Sequence, residues 1–307
     1  MRANFYLHAD SLKMEPSGDK AAYINNFQSF IKDVAFILDD TVEENKLIIS
    51  ISLYDDTRFD GEDIYQFAQR HLKRDGYALL CQILNRGELK DDFELSEIEP
   101  LTLFSKDERE CHIIVKIFDS SNKVVDYTKY IEFATYELVY DRNSWLTVRR
   151  QILGNHPENA TEFMRRAKAY FPDLVFSECC EERISPFLTQ IPRKIVYHLS
   201  CMNDHLAEFW EKHPHPSSLN LVCADFSGKF GFDKAGSQQG NPDKEDYLSF
   251  VFANKEKAIF CSAHFKITSC DSNSTDPAAR DPNYNARIYF SCKNHEVFVG
   301  SIGPHVE

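Results

Sequence analysis

The spacing of apolar residues changes along this chain and divides it into successive stretches of different structure. Within Lys20–Asp39 they fall at Tyr23, Phe27, Phe30, Ile31, Val34, Ile37 and Leu38. Steps of three and four predict an amphipathic helix. Asn4–Ala9 and Asn45–Tyr54 read as strands, the second through Leu47-Ile48-Ile49-Ser50-Ile51-Ser52-Leu53. Asp60–Arg74 reads as a helix with Ile64, Phe67, Ala68 and Leu72 on one face, and Gly76–Leu84 as a short helix after it. Asp91–Lys106 is acidic and irregular, which suits an exposed connection. Glu110–Phe118 is a strand, Ser120-Ser121-Asn122-Lys123 a turn, and Val124–Thr128 a strand that pairs back.

From Glu132 the period becomes helical. Thr135–Leu153, Ala160–Tyr170, Ile184–Leu188 and Ile191–Trp210 are the predicted helices. Asn159 or Thr161 supplies an N-cap after Pro157, and Phe171-Pro172 ends that helix. His213-Pro214-His215-Pro216 breaks the pattern, because prolines spaced by one residue cannot continue a helix. Strands follow at Leu219–Asp225, Tyr247–Ala253, Ala258–Thr268, Arg287–Ser291 and Val297–Ser301. The polar stretches Gly228–Glu245 and Ser269–Asn285 read as loops between them. The layout implies an α+β fold: an α/β domain over 1–131, a helical segment over 132–212 and an antiparallel sheet domain over 219–307.

Charge narrows the partners. The net charge is −13, which excludes a protein that coats nucleic acid with its whole surface. The acidity is uneven, since Asn220–Glu307 carries 9 Lys+Arg against 11 Asp+Glu while the remainder carries 26 against 37. The C-terminal part therefore meets a polyanion with little repulsion, and the acidic remainder suits a protein partner. The first residues lack the apolar core of a secretory signal, and no apolar run reaches the ~18 residues of a membrane span. Nine cysteines, several within apolar runs, fit reduced thiols. A cytoplasmic protein without a membrane is expected.

Candidate chemistry concentrates in the last strands. His264 and Lys266 are two apart on one strand and so share a face. Arg287 and Tyr289 share a face of the next strand, and His305 follows Gly303-Pro304 just past the last one. Metal-free cleavage of RNA needs a base for the 2′-hydroxyl, a cation for the phosphorane and an acid for the leaving oxygen. Histidine can serve as base and acid, arginine and lysine as phosphate ligands. The plain alternative is a sheet with polar edges and a frayed C-terminus.

Other clusters carry less. His198, Cys201 and His205 can share one helix face, but neither a CxxC pair nor an HExxH accompanies them, and a buried cysteine flanked by histidines explains them. Gly228-Lys229-Phe230-Gly231-Phe232 and Gly236-Ser237-Gln238-Gln239-Gly240 fit neither a Walker loop nor a dinucleotide fingerprint. Phe230 and Phe232 could stack on bases if exposed. The doublets Arg149-Arg150, Arg165-Arg166 and Arg193-Lys194 make a polyanion groove only if they converge. No cofactor and no metal are expected.

The ending, Arg287-Ile288-Tyr289-Phe290 and then Val297-Phe298-Val299-Gly300-Ser301-Ile302-Gly303-Pro304-His305, resembles that of bacterial proteins encoded near anti-phage defence or toxin–antitoxin genes. A helix followed by an antiparallel sheet with basic residues and a late histidine is also similar in outline to RelE- and barnase-like ribonucleases. The resemblance covers about the last fifty residues, and the loop Ser269–Asn285 departs from the compact pattern of those enzymes. It implies a defence-associated effector with a metal-independent, ribonuclease-like C-terminal domain acting through His264, Lys266, Arg287, Tyr289 and His305. The alternative is a non-catalytic sensor, adaptor or antitoxin-like module that binds protein.

Overall fold

A computed structural model describes residues 2–7, 19–38, 46–55, 61–91, 109–114, 138–139, 141–213, 219–238, 246–253, 255–268 and 285–305. The fold is α+β. The chain divides into two compact units, Met1–Val148 and Arg149–Glu307.

In the first unit β1 (Arg2–Leu7), β2 (Lys46–Ser50), β3 (Glu88–Lys90), β4 (Arg109–Ile114) and β5 (Leu138–Val139) form one sheet in the order β3-β2-β1-β4-β5. Every pairing in it is parallel. Parallel neighbours need crossovers, and helices supply the early ones. α1 (Lys20–Leu38) links β1 to β2, and α2 (Ser52–Asp55), α3 (Ile64–His71) and α4 (Arg74–Arg86) lie between β2 and β3. The apolar face expected of α1 is the buried one: Tyr23, Phe27, Phe30, Ile31, Val34, Ile37 and Leu38. Phe67 of α3 meets Tyr23 and Phe27 edge-on. The Asp63 carboxylate caps α3 by accepting from the Tyr65 and Gln66 amides.

Two expected boundaries shift in this unit. The strand read over Asn45–Tyr54 ends at Ser50, and Ser52–Asp55 turns into helix. The helix expected from Thr135 starts only at Arg142, after β5. Asp141 and Ser144 set that start, since the Asp141 carboxylate accepts from the Ser144 amide while the Ser144 hydroxyl accepts from the Asp141 amide. The expected pairing of Val124–Thr128 lies outside the described residues.

α5 (Arg142–Asn155) carries the chain into the second unit. There α6 (Ala160–Tyr170) starts on Asn159, whose side chain accepts from the Glu162 amide. β6 (Leu174–Phe176), α7 (Cys179–Leu188) and α8 (Pro192–Cys201) follow, and a π-helical turn at Met202–Leu206 leads into α9 (Ala207–Glu211). The run Leu219–Asp225, expected as a strand, is instead the start of α10 (Leu219–Lys229). Its short apolar run hid a helical face of Val222, Cys223 and Phe226. The stretch after it, read as loop, contains the strand β7 (Lys234–Gln238).

β10 (Ala263–Thr268), β11 (Asn285–Lys293) and β12 (Glu296–Gly303) fall on apolar runs expected as strands, but the strand expected over Ala258–Thr268 is divided, its first part pairing in a separate two-stranded sheet. Asn294 and His295 close the β11–β12 hairpin with positive φ at both positions, so the strands extend further into the polar break than expected. The sheet order is β6-β12-β11-β10-β7. β10, β11 and β12 pair antiparallel as expected, the unforeseen β7 adds antiparallel to β10, and β6 joins β12 in parallel and makes the sheet mixed.

One face of this sheet is covered by aromatic packing. Phe265 stacks on Phe226 of α10 and on Phe290, and Trp210 of α9 meets Phe290 edge-on. Gly236 admits this packing, because a Cβ there would lie 2.8 Å from the Phe265 ring and 2.9 Å from Cys223 Cβ. On the other face, β8 (Ser249–Phe250) and β9 (Ile259–Phe260) form a small hairpin. Leu248, Phe250, Phe252, Ile259 and Cys261 bury Tyr289 and Phe298 beneath it. α7 and the turn before it cover the part of β12 that β6 does not pair, with Ser177 Oγ donating to the Gly300 carbonyl and Cys180 Sγ to that of Val299.

Candidate anion-binding face of the C-terminal sheet

Beyond the β8–β9 hairpin, the same face carries basic side chains in register. Lys266 stands opposite Arg287 on β11 and opposite Lys234 on β7. His264, one step along, stands opposite Tyr289 and Ser237. Lys234 and Ser237 are three apart, so a regular strand would send them to opposite faces. A bulge between the His264 and Lys266 pairings absorbs the extra residue and brings both to the same face.

Among the described residues Lys234, Lys266 and Arg287 form no ion pair, and the buried Nε of Arg287 has no acceptor. Burial lowers the pKa of Lys266, and Arg287 and Lys234 lower it further. Like charges directly opposite on neighbouring strands cost up to about 1 kcal/mol per pair. Leaving a buried donor unsatisfied costs a further ~1–3 kcal/mol. An arrangement with these costs suits a ligand with negative charge and many acceptor oxygens.

His264 is buried at 3% exposure, its Nε2 3.0 Å from Ser237 Oγ. Burial pushes its pKa down to about 3, aided by Arg287, Lys266 and His305. The imidazole is therefore neutral at ordinary pH. His305 is half-buried, and its backbone carbonyl accepts from Arg183 of α7. His264, Lys266, Arg287 and His305 thus share one electrostatic environment. Tyr289 is placed differently: it is fully buried under the β8–β9 hairpin, its ring 5.1 Å from that of His264.

Lys234 and Ser237 belong to this face and were missed in the sequence. Their segment is polar and glycine-flanked, and only strand pairing and the bulge give them a common direction. The other clusters resolve structurally. Arg150 Nη1 donates to both carboxylate oxygens of Asp204, and its Nε donates to the Tyr170 carbonyl. Arg165 pairs with Glu162, Arg166 with Glu158 and Lys194 with Asp233. His198 Nδ1 bonds the Lys194 carbonyl and its ring stacks on Phe232, while His205 stacks on Phe230. Phe232 is buried rather than offered to a base. Among the described residues no group of three or more His, Cys, Asp or Glu could hold a metal ion. None of the helices among them is long and apolar enough to cross a membrane.

Compared with protein-family models, with curated proteins and with solved structures, the chain matches none.

Proposed function

We propose that this protein is a cytoplasmic, bacterial defence-associated effector whose C-terminal unit binds RNA and cleaves it without a metal. One observation carries the reading: Lys234, Lys266 and Arg287 stand side by side across neighbouring strands with no ion pair among the described residues. A phosphodiester supplies the missing negative charge, and arginine can grip two of its oxygens at once. His264 stands on the face of these cations, His305 is near enough for its charge to act on His264, and the two would provide the acid–base pair. The acidic remainder of the chain is then the surface for a controlling protein partner. Free cysteines at Cys81, Cys179, Cys180, Cys201, Cys223, Cys261 and Cys292 support a reducing compartment.

A second reading draws on His264 itself. Its burial and its depressed pKa favour a face that binds an anion without cutting it, as in a sensor or adaptor. His305→Ala separates the readings. With folding checked by circular dichroism, the variant should retain RNA binding and lose cleavage. Cleavage at the wild-type rate removes His305 from the mechanism. Binding without cleavage in the wild type itself selects the second reading.

A further inference from the structure

The hydroxyl of Ser237 already bonds the imidazole of this face. Ser237 Oγ lies 3.0 Å from His264 Nε2, within the range for a nucleophile and its base. β7 is an edge strand, so Ser237 is half-buried on the open side while His264 lies behind it in the sheet. Lys266 and Lys234 follow on the same face, with Arg287 one strand further in.

We propose that Ser237 is the nucleophile of this site, that His264 is its base, and that the substrate is a phosphodiester whatever its sugar. This rests on reading the face as a phosphodiester-cleaving site. The internal hydroxyl replaces the 2′-hydroxyl of the substrate, so DNA is attacked as well as RNA. In the first step Ser237 Oγ bonds to phosphorus and its proton passes to His264 Nε2. The bond from phosphorus to the leaving sugar oxygen breaks, and His305, on the opposite side, gives its proton to that oxygen. In the second step a water attacks the same phosphorus and gives a proton to His305. The bond to Oγ then breaks, Ser237 takes its proton back from His264, and a terminal phosphate is released. Water is the co-reactant that balances the reaction.

The groups facing His264 favour this order. Burial first, and then Arg287 and Lys266 on the sheet with His305 beyond β12, hold the imidazole in its accepting form. Lys234 adds a positive charge from β7. A bound phosphodiester offsets part of that field and makes the nitrogen more basic when substrate is present.

The test uses the full chain and a labelled single-stranded oligonucleotide in ribose and 2′-deoxy forms. The wild type should cut both. Ser237→Ala should lose at least ~100-fold on both while binding the uncut deoxy strand within twofold of wild type. Mass spectrometry of acid-quenched, protease-digested wild type should show a nucleotide adduct on the peptide that contains Ser237. Cutting of RNA with the deoxy strand untouched, or a fully active Ser237→Ala, overturns the nucleophile and leaves the cleavage reading standing. Cutting of neither strand overturns both.

Discussion

Arg150 and Arg287 are both arginines on regular elements of the C-terminal unit, and their surroundings are opposite. Arg150, on a helix, is satisfied by the Asp204 carboxylate and the Tyr170 carbonyl. Arg287, on a strand, faces Lys266 and keeps a buried Nε without an acceptor. The difference extends to their neighbours. Arg165, Arg166 and Lys194 of the helical layer each hold a carboxylate, whereas Lys234 and Lys266 of the sheet hold none among the described residues. The helical layer pairs these charges within the fold, and the proposed ligand of the sheet face would supply the counter-charge that Lys234, Lys266 and Arg287 lack among the described residues.

The sharpest way to break this comparison is to truncate each arginine. Arg150→Ala leaves the Tyr170 carbonyl without its donor and takes one of two partners from the half-exposed Asp204, and should lower the unfolding free energy by about 2 kcal/mol in denaturant titrations. A loss below about 1 kcal/mol would mean that the helical pair is ornamental. Arg287→Gln should instead weaken binding to a single-stranded oligonucleotide at least ~10-fold and flatten its salt dependence by about one phosphate contact. Equal binding by this variant would detach the sheet cations from any polyanion.

Acid tests the same face next. His264 and His198 have pKa values pushed down by burial, to about 3 and about 4. Both lie below the ordinary histidine value, so the unfolded chain takes up protons first as the pH falls. The stability held above pH ~6.5 is therefore lost on acidification, by about 2 kcal/mol from each histidine at pH 5. Thermal melts between pH 7 and pH 5 measure it, and His264→Gln should remove about half of the dependence. Phosphate-rich oligonucleotide should protect the wild type against acid, because it opposes the cations that help hold His264 neutral.

The smallest expected effect is the most diagnostic. Lys266→Gln relieves its opposition to Arg287 and Lys234 and should leave stability unchanged or raise it by up to about 1 kcal/mol. A clear loss of stability would show that Lys266 supports the fold.

Much of the sheet was legible in the sequence. The apolar, β-prone runs in Ala258–Thr268 and Arg287–Ser291 marked strands, and the strand period of two placed His264 with Lys266 and Arg287 with Tyr289. It said nothing of depth, so it could not tell that Tyr289 packs under the β8–β9 hairpin while Lys266 keeps partial solvent access. The short apolar run at Leu219 misled because a few residues fit either period, and only its packing on the Phe265 face made it helical. β6 was invisible because a strand of three residues carries little pattern, and its partner β12 lies more than a hundred positions away.

Local chemistry by itself determined which residues could form strands and helices and which basic side chains share a strand face, since backbone geometry sets both periods. Tertiary structure decided what those side chains meet. The β7 bulge that aligns Lys234 with Ser237, and the pairing that sets Lys266 between two cations, depend on contacts between strands remote in the chain. Register of that kind is chosen by the burial of the whole sheet, and no single segment encodes it.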